Sequence, residues 1–283
     1  MSHRMLAINI DGTLLRSNGR LQKGIKEAVD FVKKRGVYIT LVTNRNFPSA
    51  KKIAKALKLD GILVTHGGAF IASSIDQPII NRRISQEKTF NLVQVLENFE
   101  CTIRILHERY SLGNRVNLNN NIVAKAVFNS GDPLFYPMQF VESLGDTLRD
   151  EPVSTPKIDV YFKEQEELER AKVTIENAFE GIHVYTDRKL KLEVVSEPMS
   201  KDKGLELLAG YLGIDWKEIV VIGDSSSDLK MIERAGLGVA MGNATDEVKR
   251  AAKWVTRTND QNGVSYMVMT HFRKQLSITT NKQ

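Results

Sequence analysis

The sequence predicts an α/β fold, a Rossmann-like parallel sheet core interrupted by an inserted α+β domain. Two observations predict it. Short β-rich runs alternate with amphipathic stretches near both ends of the chain, and the block between them follows a different order. In the first third, MLAINI, LQKGIKEAVDFVKKRG, VYITLVTN, PSAKKIAKALKL and GILVTH form a β-α-β-α-β series, the unit from which parallel sheets are built. Ile25, Ala28, Val29 and Val32 recur on one face at helical spacing, and Gly36 stands where that helix should end. The last third resumes the series, with GLELLAGYLGI, LKMIERAG and DEVKRAAK as helices and EIVVIGD and LGVAMGN as strands.

Residues 1–83 and 190–283 are accordingly assigned to the core domain and 84–189 to the insertion. The insertion opens with a helix at EKTFNLVQVLENF and continues with strands at CTIRILHE and KIDVYF, a helix at EQEELERAKVTIENAF and a strand at IHVYTD. From Tyr110 to Pro156 the pattern gives no firm assignment, although MQFVESLGDTLRD is helix-like and NLNNN is rich in Asn.

The chain has 283 residues, 42% of them apolar and 26% charged, with a net charge of +6. This is the composition of an ordinary globular protein large enough to bury a core. No apolar run reaches the length needed to cross a bilayer, and the N-terminus lacks the form of a secretory signal. With Cys101 as the lone cysteine, a reducing, cytoplasmic setting is expected, and Cys101 is read as a small core residue. The basic residues spread along helical faces, so a solvated surface is preferred to a nucleic-acid site. The five histidines show no metal-ligand spacing.

Four stretches carry candidate chemistry. AINIDGTLL places Asn9 and Asp11 at the end of an apolar strand, on the same side if the alternation continues. Gly12 lets the backbone turn close to a bound anion. LVTNR ends a second strand in Thr43 and Asn44. SKDKGLELLAGYLGI offers a lysine at a helix start, where a bound anion would explain a cation that the helix dipole disfavours. Lys203, directly before Gly204, is chosen over Lys201. VVIGDSSSDLKMI places Asp224 at a strand end and Asp228 one turn later, a spacing that suits a hard divalent cation.

These stretches, in this order and joined by AGLGVAMGNATDEVKRAAKWVT and NDQNGVSYMV, resemble the haloacid dehalogenase superfamily, Cof-type phosphatases in particular. The resemblance covers residues 4–83 and 190–270 and implies that the insertion is a cap domain. It further implies a phosphatase acting on small phosphorylated metabolites, with Mg²⁺ held by Asn9, Asp11, Asp224 and Asp228. Ile10, Gly12, Thr43, Asn44, Lys203 and Ser227 would receive the phosphate, and Asp11 would act as general acid and base. His66, in THGGAF, could touch substrate.

The sequence departs from the family pattern at Asn44, which replaces a Gly, at Ser227, which replaces an Asn, and above all at Asn9. The family places its nucleophilic aspartate there, whereas a carboxamide oxygen is neutral and a poor nucleophile. The resemblance therefore implies either a phosphatase with impaired turnover or a non-catalytic protein that binds a phosphorylated ligand on the same scaffold.

Overall fold

The computed structural model describes residues 2–114, 136–187, 190–196 and 199–275. In chain order its elements are β1 (Met5–Ile8), α1 (Ile25–Lys33), β2 (Tyr38–Leu41), α2 (Phe47–Ala56), β3 (Leu63–Thr65), β4 (Phe70–Ser74), β5 (Gln77–Asn81), α3 (Gln86–Leu96), β6 (Cys101–Leu106), β7 (Ser111–Asn114), β8 (Met138–Val141) and α4 (Leu144–Asp150). There follow β9 (Lys157–Phe162), α5 (Gln165–Ala178), β10 (Ile182–Asp187), β11 (Lys191–Ser196), α6 (Lys201–Tyr211), β12 (Ile219–Gly223), α7 (Leu229–Arg234), β13 (Leu237–Ala240), α8 (Asp246–Ala251), β14 (Trp254–Val255) and α9 (Gly263–Phe272). They divide into two compact units, one of Met1–Asn44, Ala50–Ser74 and Ser200–Gln283, the other of Arg45–Ser49 and Ile75–Met199.

The first unit is built on a parallel sheet of order β14-β13-β12-β1-β2. A bridge between Val42 and Val64 sets β3 alongside β2. Every residue of β1 and β12 is buried, as expected of central parallel strands covered on both faces. Helix α1 packs on α9, while α6, α7 and α8 pack on one another in turn. The α1 residues facing the core are Ile25, Ala28, Val29 and Val32, the stripe expected from their spacing. Read across the sheet, the strand order reverses between β1 and β12. In open α/β sheets a ligand crevice forms at such a reversal, outside the carboxyl ends of the strands.

The second unit is a six-stranded sheet of order β10-β11-β9-β6-β7-β8, antiparallel except for β7 and β8. One face of it (Ile103, Ile105, Ile158, Val160, Leu192 and Val194) forms a core with α3, α4 and α5. Strand β11 belongs to this sheet through its pairing with β9 and β10, so the division falls after Met199 and not at 190. The boundary at 83 shifts too, to 74. The helix-like stretch MQFVESLGDTLRD separates into strand β8 and helix α4, because Ser143 caps the helix by accepting a hydrogen bond from Asp146 N at 3.1 Å. The NLNNN stretch lies outside the described residues.

Candidate functional site

Strand β1 stops at Ile8 because the next residues close a wide turn, with Leu14 N bonded to Asn9 O and Leu15 N to Ile10 O. Gly12 supplies the positive φ of 70° in that turn. A side chain there would meet Asp224 directly, since a Cβ would lie 2.2 Å from Asp224 Oδ2. The turn ends the strand alternation on which the shared orientation of residues 9 and 11 depended. Asn9 is 4% exposed, whereas Asp11 is exposed to solvent.

The Asn9 carboxamide is bonded at both ends. Its Nδ2 donates to Asp11 O at 2.9 Å and to Asp224 Oδ1 at 3.0 Å, while its Oδ1 accepts from Lys201 Nζ at 3.1 Å. Exchanging the two ends would turn oxygen toward the two acceptors and N–H toward an ammonium, so its partners fix its orientation. Thr13 Oγ1 also donates to Asp224 Oδ1, at 2.6 Å.

Asp228 is fully buried and equally committed. Its Oδ1 accepts from Lys201 Nζ at 2.8 Å, and its Oδ2 accepts from Asp224 N, Ser225 N and Ser225 Oγ at 2.9–3.1 Å. Burial raises the Asp224 carboxyl, and the nearby Asp228 charge adds to the rise. Donation from Thr13, the Lys201 charge and donation from Asn9 offset it only in part, leaving its pKa at about 6.

The lysine at this centre is Lys201, not Lys203. Helix α6 begins at Lys201, after Ser200 in extended backbone, and residues two apart on a helix lie about 200° apart around its axis. Lys203 consequently faces solvent and pairs with Glu206 at 3.1 Å. Gly204 serves packing, since a Cβ there would come within 2.6 Å of Val64 Cγ1 and 2.7 Å of Gly68 Cα. That close approach seats the first turn of α6 beside β3.

The remaining predicted residues lie around this centre. Ile8 pairs with Leu41 on one side and Ile222 on the other, so the parallel register carries Thr43, Ile10 and Asp224 to the same edge of the sheet. Thr43 is buried, its backbone accepting from Gly67 N at 3.1 Å, and the Asn44 side chain approaches Gly67. Ile10 is fully buried. Ser227 is exposed, with its hydroxyl 2.9 Å from that of Ser225. His66 is buried with Nδ1 3.2 Å from Thr65 Oγ1.

Sequence reasoning missed two supports of the Gly12 turn. Asn243 Nδ2 donates to Gly12 O at 2.8 Å, and Gln22 Nε2 donates to Thr13 O. Asn243 had a visible signal as the polar residue after the β13 strand run, whereas Gln22 had none. Cys101 is partly buried in the second unit, its thiol pushed up to about 12 by burial, Glu167 and Glu97, in keeping with a packing role.

The donor set is a poor fit for Mg²⁺. Among the described residues no three His, Cys, Asp or Glu side chains converge as ligands. Both oxygens of Asp228 are used by protein donors. The Asn9 N–H groups point at Asp11 O and Asp224 Oδ1, so two oxygens of this crevice already accept hydrogen bonds from the carboxamide.

The comparisons with known proteins agree with the fold. Residues 6–268 match the model of the haloacid dehalogenase-like hydrolases. The stress response protein YhaX of Bacillus subtilis is 54% identical, the match covering 97% of this chain and 95% of that protein. The 5-amino-6-(5-phospho-D-ribitylamino)uracil phosphatase YitU of Bacillus subtilis is 24% identical over 95% of this chain and 97% of its own length. A haloacid dehalogenase-like hydrolase from Bacteroides thetaiotaomicron shares the fold, with a TM-score of 0.81 at 23% identity, covering 95% of this chain and 99% of that one. A parallel sheet with its strand reversal at β1 and β12, motif residues gathered at that edge and a match along nearly the whole chain lead to one assignment: the protein belongs to the haloacid dehalogenase-like hydrolase family.

Proposed function

We propose that this chain binds a small phosphorylated metabolite at the β1/β12 edge and turns it over slowly or not at all. The observation that carries the reading is the Asn9 carboxamide, at the family's nucleophile position and bonded at both ends to Lys201, Asp11 O and Asp224. Covalent phosphoryl transfer requires an anionic or activated nucleophile. A neutral amide oxygen already accepting from an ammonium is neither.

Recognition of phosphate does not need that nucleophile. Lys201 supplies a buried positive charge, and the glycine-containing turn at Gly12 brings backbone close to the crevice. Thr43 and Asn44 stand at the neighbouring strand end, where a hydroxyl and a backbone amide can receive phosphoryl oxygens. The family resemblance, and a relative named as a phosphatase of a phosphorylated ribitylaminouracil, both favour a small phosphate monoester as the ligand. The cytoplasm, expected from the lone cysteine, is where such metabolites are found.

The test is equilibrium binding of sugar phosphates, nucleotides and inorganic phosphate to the unaltered chain, followed by calorimetry, with product analysis of each mixture. Binding of at least one phosphorylated compound at millimolar concentration or below, without comparable binding of its dephosphorylated form, is expected. Equal binding of the two forms would overturn the reading.

A further inference from the structure

We infer that the Asn9 carboxamide takes the place of the divalent cation in this site, so that the chain holds its phosphate-binding edge together without Mg²⁺ and excludes the ion. The inference rests on the phospho-ligand reading for the identity of the edge, but its own evidence is separate. A hard cation in the crevice would be drawn to oxygen donors, and two of those at hand are Asp11 O and Asp224 Oδ1. Both accept hydrogen bonds from Asn9 Nδ2, at 2.9 and 3.0 Å. The N–H₂ group, with its partial positive charge, bridges the two oxygens as a cation would.

The amide cannot easily step aside. Turning Oδ1 toward the cation would bring Nδ2 against the Lys201 ammonium, now 3.1 Å from Oδ1, and would exchange an attraction for a repulsion. Lys201 is itself held by Asp228 at 2.8 Å. Asp228 has no vacant oxygen to offer, because its Oδ2 accepts three further bonds. The charge balance points the same way. An aspartate at residue 9 would add a carboxylate beside Asp224, and a divalent cation would then relieve the repulsion. With Asn9 there is one carboxylate fewer beside Asp224, and Lys201 pairs with Asp228 at 2.8 Å.

Mg²⁺ binding to the full chain can be measured by isothermal titration, with no phosphate present, for the unaltered protein and for Asn9→Asp. The unaltered protein should bind Mg²⁺ at least tenfold more weakly than the variant. Affinities within threefold of each other, whether both strong or both weak, would overturn the inference. A readout that needs no variant is the Asn9 side-chain amide signal in a ¹⁵N spectrum of the unaltered protein. It should stay unmoved at 10-fold molar excess of Mg²⁺, and a saturable shift would count against the inference. Inorganic phosphate, titrated with and without EDTA, separates the two readings. Phosphate binding lost on chelation would overturn the metal-free edge. If no phosphate bound while Mg²⁺ discriminated between the two proteins as stated, the phospho-ligand reading would fail and the exclusion of the ion by Asn9 would stand.

Discussion

Lys201 and Lys203 differ by two positions in the sequence and by everything that matters physically. Lys201 Nζ is buried between Asn9 Oδ1 and Asp228 Oδ1, and Asp228 is fully buried. Replacing Lys201 with Met leaves a buried carboxylate without its cation, which should cost about 3 kcal/mol in unfolding free energy. Lys203→Ala breaks only an exposed i,i+3 pair with Glu206 and should change stability by less than about 0.5 kcal/mol. Urea denaturation of the two variants checks this, and similar losses in both would contradict the placement. The lysine choice was legible in principle. The run SKDKG puts a serine, Ser200, in the position before the helix, and a helix that starts after it puts Lys201 in the first turn. A helix begun at Gly204 instead would leave Lys201 outside it.

At the scale of elements, strand alternation in the second unit sorts residues into an apolar face and a charged one. On β9, Ile158 and Val160 enter the core, while Lys157, Asp159 and Tyr161 take the other face. Register pairs Asp159 with Glu193 of β11, and the two carboxylates are neutralised by Lys157 and Lys191 at 2.5–3.1 Å. Burial pushes the Glu193 carboxyl up, but Lys157 and Lys191 more than offset this and hold it well below its ordinary 4.5. Because the folded value lies below the unfolded one, the contribution is present above about pH 4.5 and lost as the pH falls further. Glu193→Gln should lower stability at pH 7 by about 3 kcal/mol. It should also flatten the loss of melting temperature below pH 4.5. An unchanged melting profile would show that the cluster contributes nothing. The β11 run KLEVVS reads as an alternating strand in sequence, yet its sheet cannot be read, because alternation says which face a residue takes and not which neighbour it pairs with. For that reason the domain boundary fell at 190 in the sequence and falls at Met199 in the structure.

Over the whole molecule, the α-helical and β-strand periods of the two terminal thirds were legible because central parallel strands are apolar throughout and their helices carry one buried stripe. The site was legible to the extent that it depends on chain order. Asn9, Thr43 and Asp224 terminate strands that the sequence itself marks, and parallel register does the rest. What was not legible depended on turn geometry and long-range bonds. The turn after Ile8 separates the buried Asn9 from the exposed Asp11, and Asn243 reaches Gly12 O across 231 positions. Residues 6–268 match the family's model, and in the function proposed above residue 9 separates that fold from the family's chemistry. The most direct measurement is steady-state hydrolysis of p-nitrophenyl phosphate and sugar phosphates by the unaltered protein and by Asn9→Asp, with Mg²⁺ supplied. The variant should be faster in kcat by at least about a thousandfold. Equal rates in the two proteins would contradict the account.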